Sequence, residues 1–403
     1  MTPSISRLAL IAGAILVVTA CSAAGPSNRP SGEATAPLAP ASASTTAAPA
    51  ATPSAVVATA ESPSPAPIRA LDAHLLGPDS LSGLVFDPAG NLYVSQCLTT
   101  FAAIYRIDAK GIMAMFAGTG TPGFSGDGGP ATSAQFFCPY GMAFGPDGAL
   151  YVADNINDRI RRIDTAGVVT TVVGSGPTGF GQGSFSGDGG PASKATIQNP
   201  TAVAFDHAGN LYISDRFNNR IRKVDAQGII STIAGNGTTG FSNDGVLGTR
   251  TGIDTPYGVA ADAKGDVIFV DGGHLRVRMV DRDGILRTVV GTGNDASTGD
   301  GGPATRAAIE PQYLTLDAAG SLYVTDDFTR SLRRIDRHGI ITTVAGGGDG
   351  GPPQDRMLAV KATFADMSSP TFDGIGNLYV TDLTFVYRID ENGVLTTIVG
   401  KRP

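Results

Sequence analysis

The sequence predicts an all-β fold: a six-bladed β-propeller of four-stranded antiparallel blades, preceded by a signal peptide and a disordered tether. Two observations point to the propeller. A Leu-Tyr-Val-x-Asp string, or a worn copy of it, returns six times, with its second residue at Tyr93, Tyr151, Tyr212, Ile268, Tyr323 and Tyr379. The intervals are 58, 61, 56, 55 and 56 residues. So regular a period means stacked copies of one unit, none able to bury its apolar faces alone. Each period also holds four short strand-like runs. In the second repeat these are Ala143-Phe144, Leu150 to Ala153, Ile160 to Ile163 and Val168 to Val173. Turn formers separate them, Pro146-Asp147-Gly148 after the first and Asp164-Thr165-Ala166-Gly167 before the last. Short antiparallel runs without helical spacing build blades. A parallel solenoid is disfavoured because the hairpin turns are so short.

Residues 1–21 read as an export signal. Arg7 supplies the positive end and Leu8 to Val18 an apolar run of eleven residues, too short to span a bilayer. Val18-Thr19-Ala20-Cys21 resembles a bacterial lipobox, which makes Cys21 the expected lipidation site. Residues 22–67 are almost wholly Ala, Pro, Ser and Thr without an aromatic, a composition with nothing to bury. The expected product is a lipid-anchored protein on the extracytoplasmic face of a bacterial membrane, attached through its N-terminal lipid only. Residues 68–403 are left for one propeller, ample for a large core.

The formal net charge is −7, with 29 Lys and Arg against 36 Asp and Glu. Arg7 and Arg29 balance Glu33 and Glu61, so the folded part carries all of it. Phosphate binding is dominated by cationic side chains, so nucleic acid is not expected as a partner.

The recurring Gly-Asn-Leu-Tyr-Val-x-Asp, Asn-x-Arg-Ile-Arg-Arg-Ile-Asp and Ile-Thr-Thr-Val-Ala-Gly segments resemble NHL repeats from about Ser80 to Gly400. Phe-Ser-Gly-Asp-Gly-Gly-Pro-Ala at Phe124 to Ala131 and Phe185 to Ala192 is similar to the teneurin-like branch found in bacterial extracytoplasmic proteins. The resemblance implies a recognition platform, although a few relatives are enzymes.

Residues that recur are expected to build blades. The aspartates ending the second strands, Asp154, Asp215, Asp271, Asp326 and Asp382, should accept hydrogen bonds from the next turn and from arginines such as Arg159 and Arg220. Asp127, Asp188, Asp300 and Asp349 each precede Gly-Gly-Pro. Asx-type turns explain them, with a calcium site as the alternative. Gly-x-G-x-x-G matches such as Gly118 to Gly123 lack a following helix and read as inter-blade loops instead of dinucleotide sites. The outer blades are irregular, and the last run, Val394 to Val399, completes blade six, so the ring is expected to close by packing and Ile68 to Gly77 has no assigned place.

Function should break the symmetry. Two positions opening each innermost strand ring the channel mouth: Ser80-Leu81, Cys138, Asn199, Thr255, Glu310 and Asp366 at the first, Ser82, Tyr140, Thr201, Tyr257, Gln312 and Ser368 at the second. Tyr140, Thr201, Tyr257, Glu310, Gln312 and Asp366 are the candidate ligand-binding residues, suited to a protein, peptide or glycan ligand. A plain water-filled channel is the alternative. No catalytic residue is assigned. A metal-lyase site needs several histidines, and His74, His207 and His338 lie elsewhere, leaving His274 alone near the mouth. A lactonase-like calcium cluster would rest on Glu310, Asn199 and Asp366. No resident cofactor is expected, and the protein is expected to be a monomer. Cys97 and Cys138 are expected to form a disulfide across adjacent blades.

Overall fold

A computed structural model describes residues 68–73 and 81–400. The signal sequence, Cys21, the tether, His74 and Ser80 lie outside the described residues. Within them, six antiparallel sheets of four sequential strands follow one another, and the first sheet gains a fifth strand. The first strand, β1, is Ile68–Arg69, and blade one follows as β2 (Leu81–Phe86), β3 (Leu92–Cys97), β4 (Ala102–Ile107) and β5 (Ile112–Gly120). Blade two comprises β6 (Pro139–Phe144), β7 (Leu150–Asp154), β8 (Arg159–Ile163) and β9 (Val169–Val173). Its first strand thus begins four residues earlier than the apolar run suggested. Blades three to six open on β10 (Pro200–Phe205), β14 (Pro256–Ala261), β18 (Pro311–Leu316) and β22 (Met367–Phe372), and the last strand is β25 (Leu395–Val399). Each innermost strand contacts the next, and β22 contacts β2, so the ring is closed.

The Leu-Tyr-Val string has a physical role at each of its residues. The leucine and valine are buried between blades. The tyrosine hydroxyl reaches back to the turn aspartate, from Tyr212 to Asp206 at 2.9 Å and from Tyr379 to Asp373 at 3.2 Å. Its ring packs edge-to-face on a phenylalanine of the next innermost strand: Tyr93 on Phe144, Tyr151 on Phe205, Tyr323 on Phe372. Tyr379 on Phe86 continues this ladder across the junction of blades six and one, with centroids 4.8 Å apart. Each such pair adds about 0.5–1.5 kcal/mol beyond area burial.

Closure is achieved by a piece of chain that the repeats did not predict. Between other blades a short linker packs on the outer strand, as Pro130 bridges Val168 and the Ala131 amide donates to the Gly167 carbonyl at 2.8 Å. Arg69 pairs with Ile112, and the Ala70 amide donates to Gly111 at 2.8 Å. The Gly400 amide then donates to the Ala70 carbonyl at 3.2 Å, as Gly174 does to Ala192 and Gly346 to Ala359. Arg69 to Ala73 is therefore the sixth linker, located ahead of the first blade. Packing does close the ring, but through this segment, with Ala70 and Ala73 buried beside Val399 and Tyr379.

Candidate functional site

Buried ion pairs separate scaffold from site. Arg161, Arg222, Arg278 and Arg333 have side chains almost wholly buried. Each lies between a second-strand aspartate and a linker aspartate. Arg161 meets Asp154 at 3.3 Å and Asp127 at 2.8 Å, and Arg333 meets Asp326 at 3.0 Å and Asp300 at 2.7 Å. The arginines expected in this role, Arg159 and Arg220, stand two residues earlier and donate to carbonyls of the next loop, including Ser175 and Asn236. Arg159 and Arg161 lie on one strand face, two residues apart and packed on Phe124; Arg161 sits at the level of the aspartate, whereas Arg159 opens the strand and reaches the next loop. Burial pushes Asp154 and Asp215 up to about 6 despite these guanidinium neighbours, leaving both ionised at neutral pH.

The linker carboxylates thus answer to a buried cation. In blade six the equivalent carboxylate is Asp355, three residues before Leu358, and it accepts from the Thr397 amide. Asp349, picked out by its Gly-Gly-Pro neighbours, is out of register by six residues. Among the described residues, no group of three His, Cys, Asp or Glu side chains is arranged to hold a metal ion. Asn199, one of the three residues of the calcium alternative, is 3% exposed and gives its amide to Asn155 at 2.7 Å.

At the mouth, every innermost strand carries a β-bulge. In blade two the register runs Pro139 to Asp154 and then Met142 to Val152, so Tyr140 and Gly141 together face one residue. Bulges re-aim side chains at sheet rims. The third positions of these strands are Gly83, Gly141, Ala202, Gly258, Tyr313 and Ser369. Small residues are required where strands crowd: a Cβ on Gly83 would fall 2.4 Å from the Tyr140 carbonyl oxygen. Tyr313 alone is large, and it is a mouth residue that the two-position comparison passes over.

Tyr140 from blade two and Tyr313 from blade five, on opposite sides of the ring, bring their hydroxyls close enough to interact. Tyr257 from blade four packs edge-on to Tyr313, centroids 6.0 Å apart. The Arg216 guanidinium lies 4.4 Å over the Tyr257 ring. Its Nη1 contacts the Asn199 amide oxygen at 3.5 Å, and its Nε is buried without a hydrogen-bond partner. Recessed among these rings, Tyr140 and Tyr313 are held well above the ordinary phenol range by desolvation, with Asp366 adding to it. Tyrosines from three blades thus converge on the mouth.

Acids complete the rim. Asp327 is raised to about 7, mainly by burial and then by Asp366 and Glu310. Glu310 is raised by its own burial and by Asp295 and Asp326. Asp327 and Arg216 occupy the same repeat position, directly after the second strand, in blades five and three. The structure therefore brings Tyr140, Tyr257, Glu310 and Asp366 into one neighbourhood and adds Tyr313, Asp327 and Arg216. Gln312 occupies the blade-five bulge, partly exposed. Thr201 does not join them. It is 2% exposed, and its hydroxyl donates to the Tyr257 carbonyl at 3.0 Å, tying blade three to blade four. His274 is also scaffold: it replaces Asn157 and Asn218 of the neighbouring repeats and contacts Asp271 and the Thr239 carbonyl, each at 2.9 Å. Cys97 and Cys138 are joined, linking the end of β3 to the residue before β6 across 41 positions. A loop of that length stabilises by about 2–4 kcal/mol.

Comparison with known proteins fits this architecture. The Teneurin NHL domain family matches residues 115–182 and 177–243. The chain is an NHL-repeat propeller. Teneurin-3 of Mus musculus is 25% identical over 334 residues, covering 74% of this propeller chain and 11% of that protein. Protein SUPPRESSOR OF QUENCHING 1 of Arabidopsis thaliana is 29% identical over 175 residues, 42% of this chain and 16% of its own length. The NHL chain thus spans less than a fifth of the curated relatives it matches. Among solved structures, a gluconolactonase of Xanthomonas campestris superposes with a TM-score of 0.51 at 14% identity, covering 79% of this chain and 86% of that one. An auxiliary nutrient binding protein of Bacteroides ovatus gives 0.51 at 16%, covering 76% and 67%. These likenesses are of fold.

Proposed function

We propose that this NHL propeller is a binding module, tethered outside a bacterial cell by a lipid on Cys21, that captures a short peptide segment at its channel mouth. One observation carries the reading: Tyr140, Tyr257 and Tyr313 converge from three blades, with Arg216 on one side and Asp327 and Asp366 on the other. The tyrosines offer faces for stacking and hydroxyls for hydrogen bonds. The buried Nε of Arg216 can donate to an acceptor, and Asp327 on the other side can accept from a donor. A peptide supplies both along its backbone and ends. A neutral glycan supplies hydroxyls but no charge to match the two poles.

The test is a thermal-shift screen of short peptides and glycans, followed by calorimetry on the best ligand. Peptides are expected to stabilise the protein, and Tyr257→Ala or Arg216→Ala should weaken binding by about tenfold or more, the worth of one lost charged hydrogen bond. A ligand with a cationic group should bind better as pH rises through about 7, where Asp327 ionises. Binding that survives both substitutions, or a response to glycans alone, would sink the peptide reading.

A further inference from the structure

A second site arises where blade five omits what its neighbours insert. In blades two, three and four, a linker phenylalanine three residues before the linker aspartate packs against two arginines of the third strand. Phe185 lies 3.6 Å from the Arg220 guanidinium and 4.7 Å from that of Arg222. Phe241 lies 4.3 Å from Arg276 and 5.0 Å from Arg278, and Phe124 sits similarly on Arg159 and Arg161. The outer arginine then bridges two carbonyls, as Arg220 does between Asn218 at 2.8 Å and Asn236 at 2.9 Å.

Blade five lacks both groups. Ser297 stands where Phe124, Phe185 and Phe241 stand, and Ser331 replaces Arg159, Arg220 and Arg276. The result is a crevice of about 470 Å³ lined by Ser297, Asp300, Thr329, Ser331, Arg333 and Gly347, among others. Its floor is finished: Ser297 donates to Asp326 at 2.6 Å and receives Arg333 at 3.0 Å, while Thr329 and Ser331 share a hydrogen bond of 2.8 Å. The carbonyls of Thr329 and Gly347 stand where Asn218 and Asn236 accept from Arg220, and no arginine occupies the position that would bridge them. Charge is unbalanced as well. In blade three Arg222 bridges Asp188 and Asp215 while Arg220 adds a second positive charge nearby, whereas at the same positions Asp300 and Asp326 have Arg333 alone.

We propose that this crevice binds a peptide presenting an arginine beside an aromatic residue, the guanidinium between the Thr329 and Gly347 carbonyls and the ring over Arg333. The missing pair defines the ligand. The vacated volume held a ring and a guanidinium in three neighbouring blades, and the site is one cation short. Residues 1–67 of the chain contain no aromatic residue, so the tether cannot supply the ring. This site is separate from the channel mouth and does not depend on it.

The test is calorimetry of the protein with arginyl-phenylalanine amide, and with glutaminyl-phenylalanine amide as the uncharged control. Wild type should bind the arginyl peptide with about millimolar affinity, typical for a ligand of this size. The control should bind about tenfold more weakly. The variant carrying Ser297→Phe and Ser331→Arg restores the pattern of blades two to four; it should lose binding while its melting temperature holds or rises. If that variant fails to fold, Ser331→Arg alone fills the guanidinium seat and should give the same loss. Equal binding by the filled variant, equal binding of the two peptides, or no binding heat overturns the proposal. So does loss of binding in Tyr257→Ala but not in Ser331→Arg, which would assign the peptide to the mouth.

Discussion

His274 shows how one residue can answer both to the repeat and to pH. In blades two and three an asparagine amide joins the second-strand aspartate to the preceding loop, as Asn157 joins Asp154 to the Gly123 carbonyl. His274 faces Asp271 through Nδ1 and the Thr239 carbonyl through Nε2. Both partners are acceptors, so only the protonated ring satisfies both. The hydrogen bond to Asp271 raises the histidine above its ordinary range, burial opposes this, and Asp254 adds to the rise. A raised histidine contributes stability that is full below its unfolded value, near 6.5, and is lost as pH climbs through the folded one. His274→Asn should keep both bonds without titrating. Chemical denaturation from pH 5.5 to 8.5 should then show wild type losing about 1 kcal/mol relative to the variant, the worth of one hydrogen bond. Parallel pH profiles would refute the assignment.

At the scale of the element, the innermost strand with its bulge is the unit that decides what faces the channel. A Cβ added to Gly141 would fall 2.8 Å from the Thr201 carbonyl oxygen and 2.9 Å from the Ala202 Cα, both backbone atoms of the next blade. Gly141→Ala should therefore cost about 1–3 kcal/mol through overpacking, read as a lowered denaturation midpoint. Gly148→Ala in a surface turn is not a fair control, since its φ is +72°; Gly129→Ala, with only a carbonyl 3.4 Å away, is. An unchanged midpoint for Gly141→Ala would mean that the strands do not pack this closely. The same crowding explains what the sequence could and could not disclose. The period and the turns were legible because hydrogen bonding repeats them. Tyr140, Tyr257, Glu310 and Asp366 were legible as departures from the repeat. Tyr313 was not, because the bulge brings a third position to the mouth, and only a comparison of Gly83, Gly141, Ala202 and Gly258 would have exposed it. Arg161 was missed in favour of Arg159 because both recur on the same strand face, and only their place along the strand separates the aspartate-bound one from the linker-bound one.

For the whole molecule the question is how a linear repeat becomes a ring. Blades one and six are each built from contiguous chain, so no strand is shared across their junction. The seam relies on the Tyr379–Phe86 contact, the Ser369 hydroxyl donating to the Ser82 carbonyl at 2.7 Å, and the N-terminal linker. That linker could not be recognised from motif, since Arg69-Ala70-Leu71-Asp72-Ala73 shares with Pro130-Ala131-Thr132-Ser133-Ala134 only its two alanines. Those two alanines are what packing demands: Ala70 is 1% exposed and Ala73 2%, while Leu71 between them is 47% exposed. Ala70→Glu would place an unpaired carboxylate in the seam and should cost about 3 kcal/mol or more. Leu71→Glu, one residue away on the surface, should stay within about 0.5 kcal/mol of wild type. Hydrogen exchange on the Ala70→Glu protein should show protection falling first in β5 and β25, which the linker joins, while blade four keeps its protection. Equal tolerance of the two substitutions would show that the ring holds without its sixth linker.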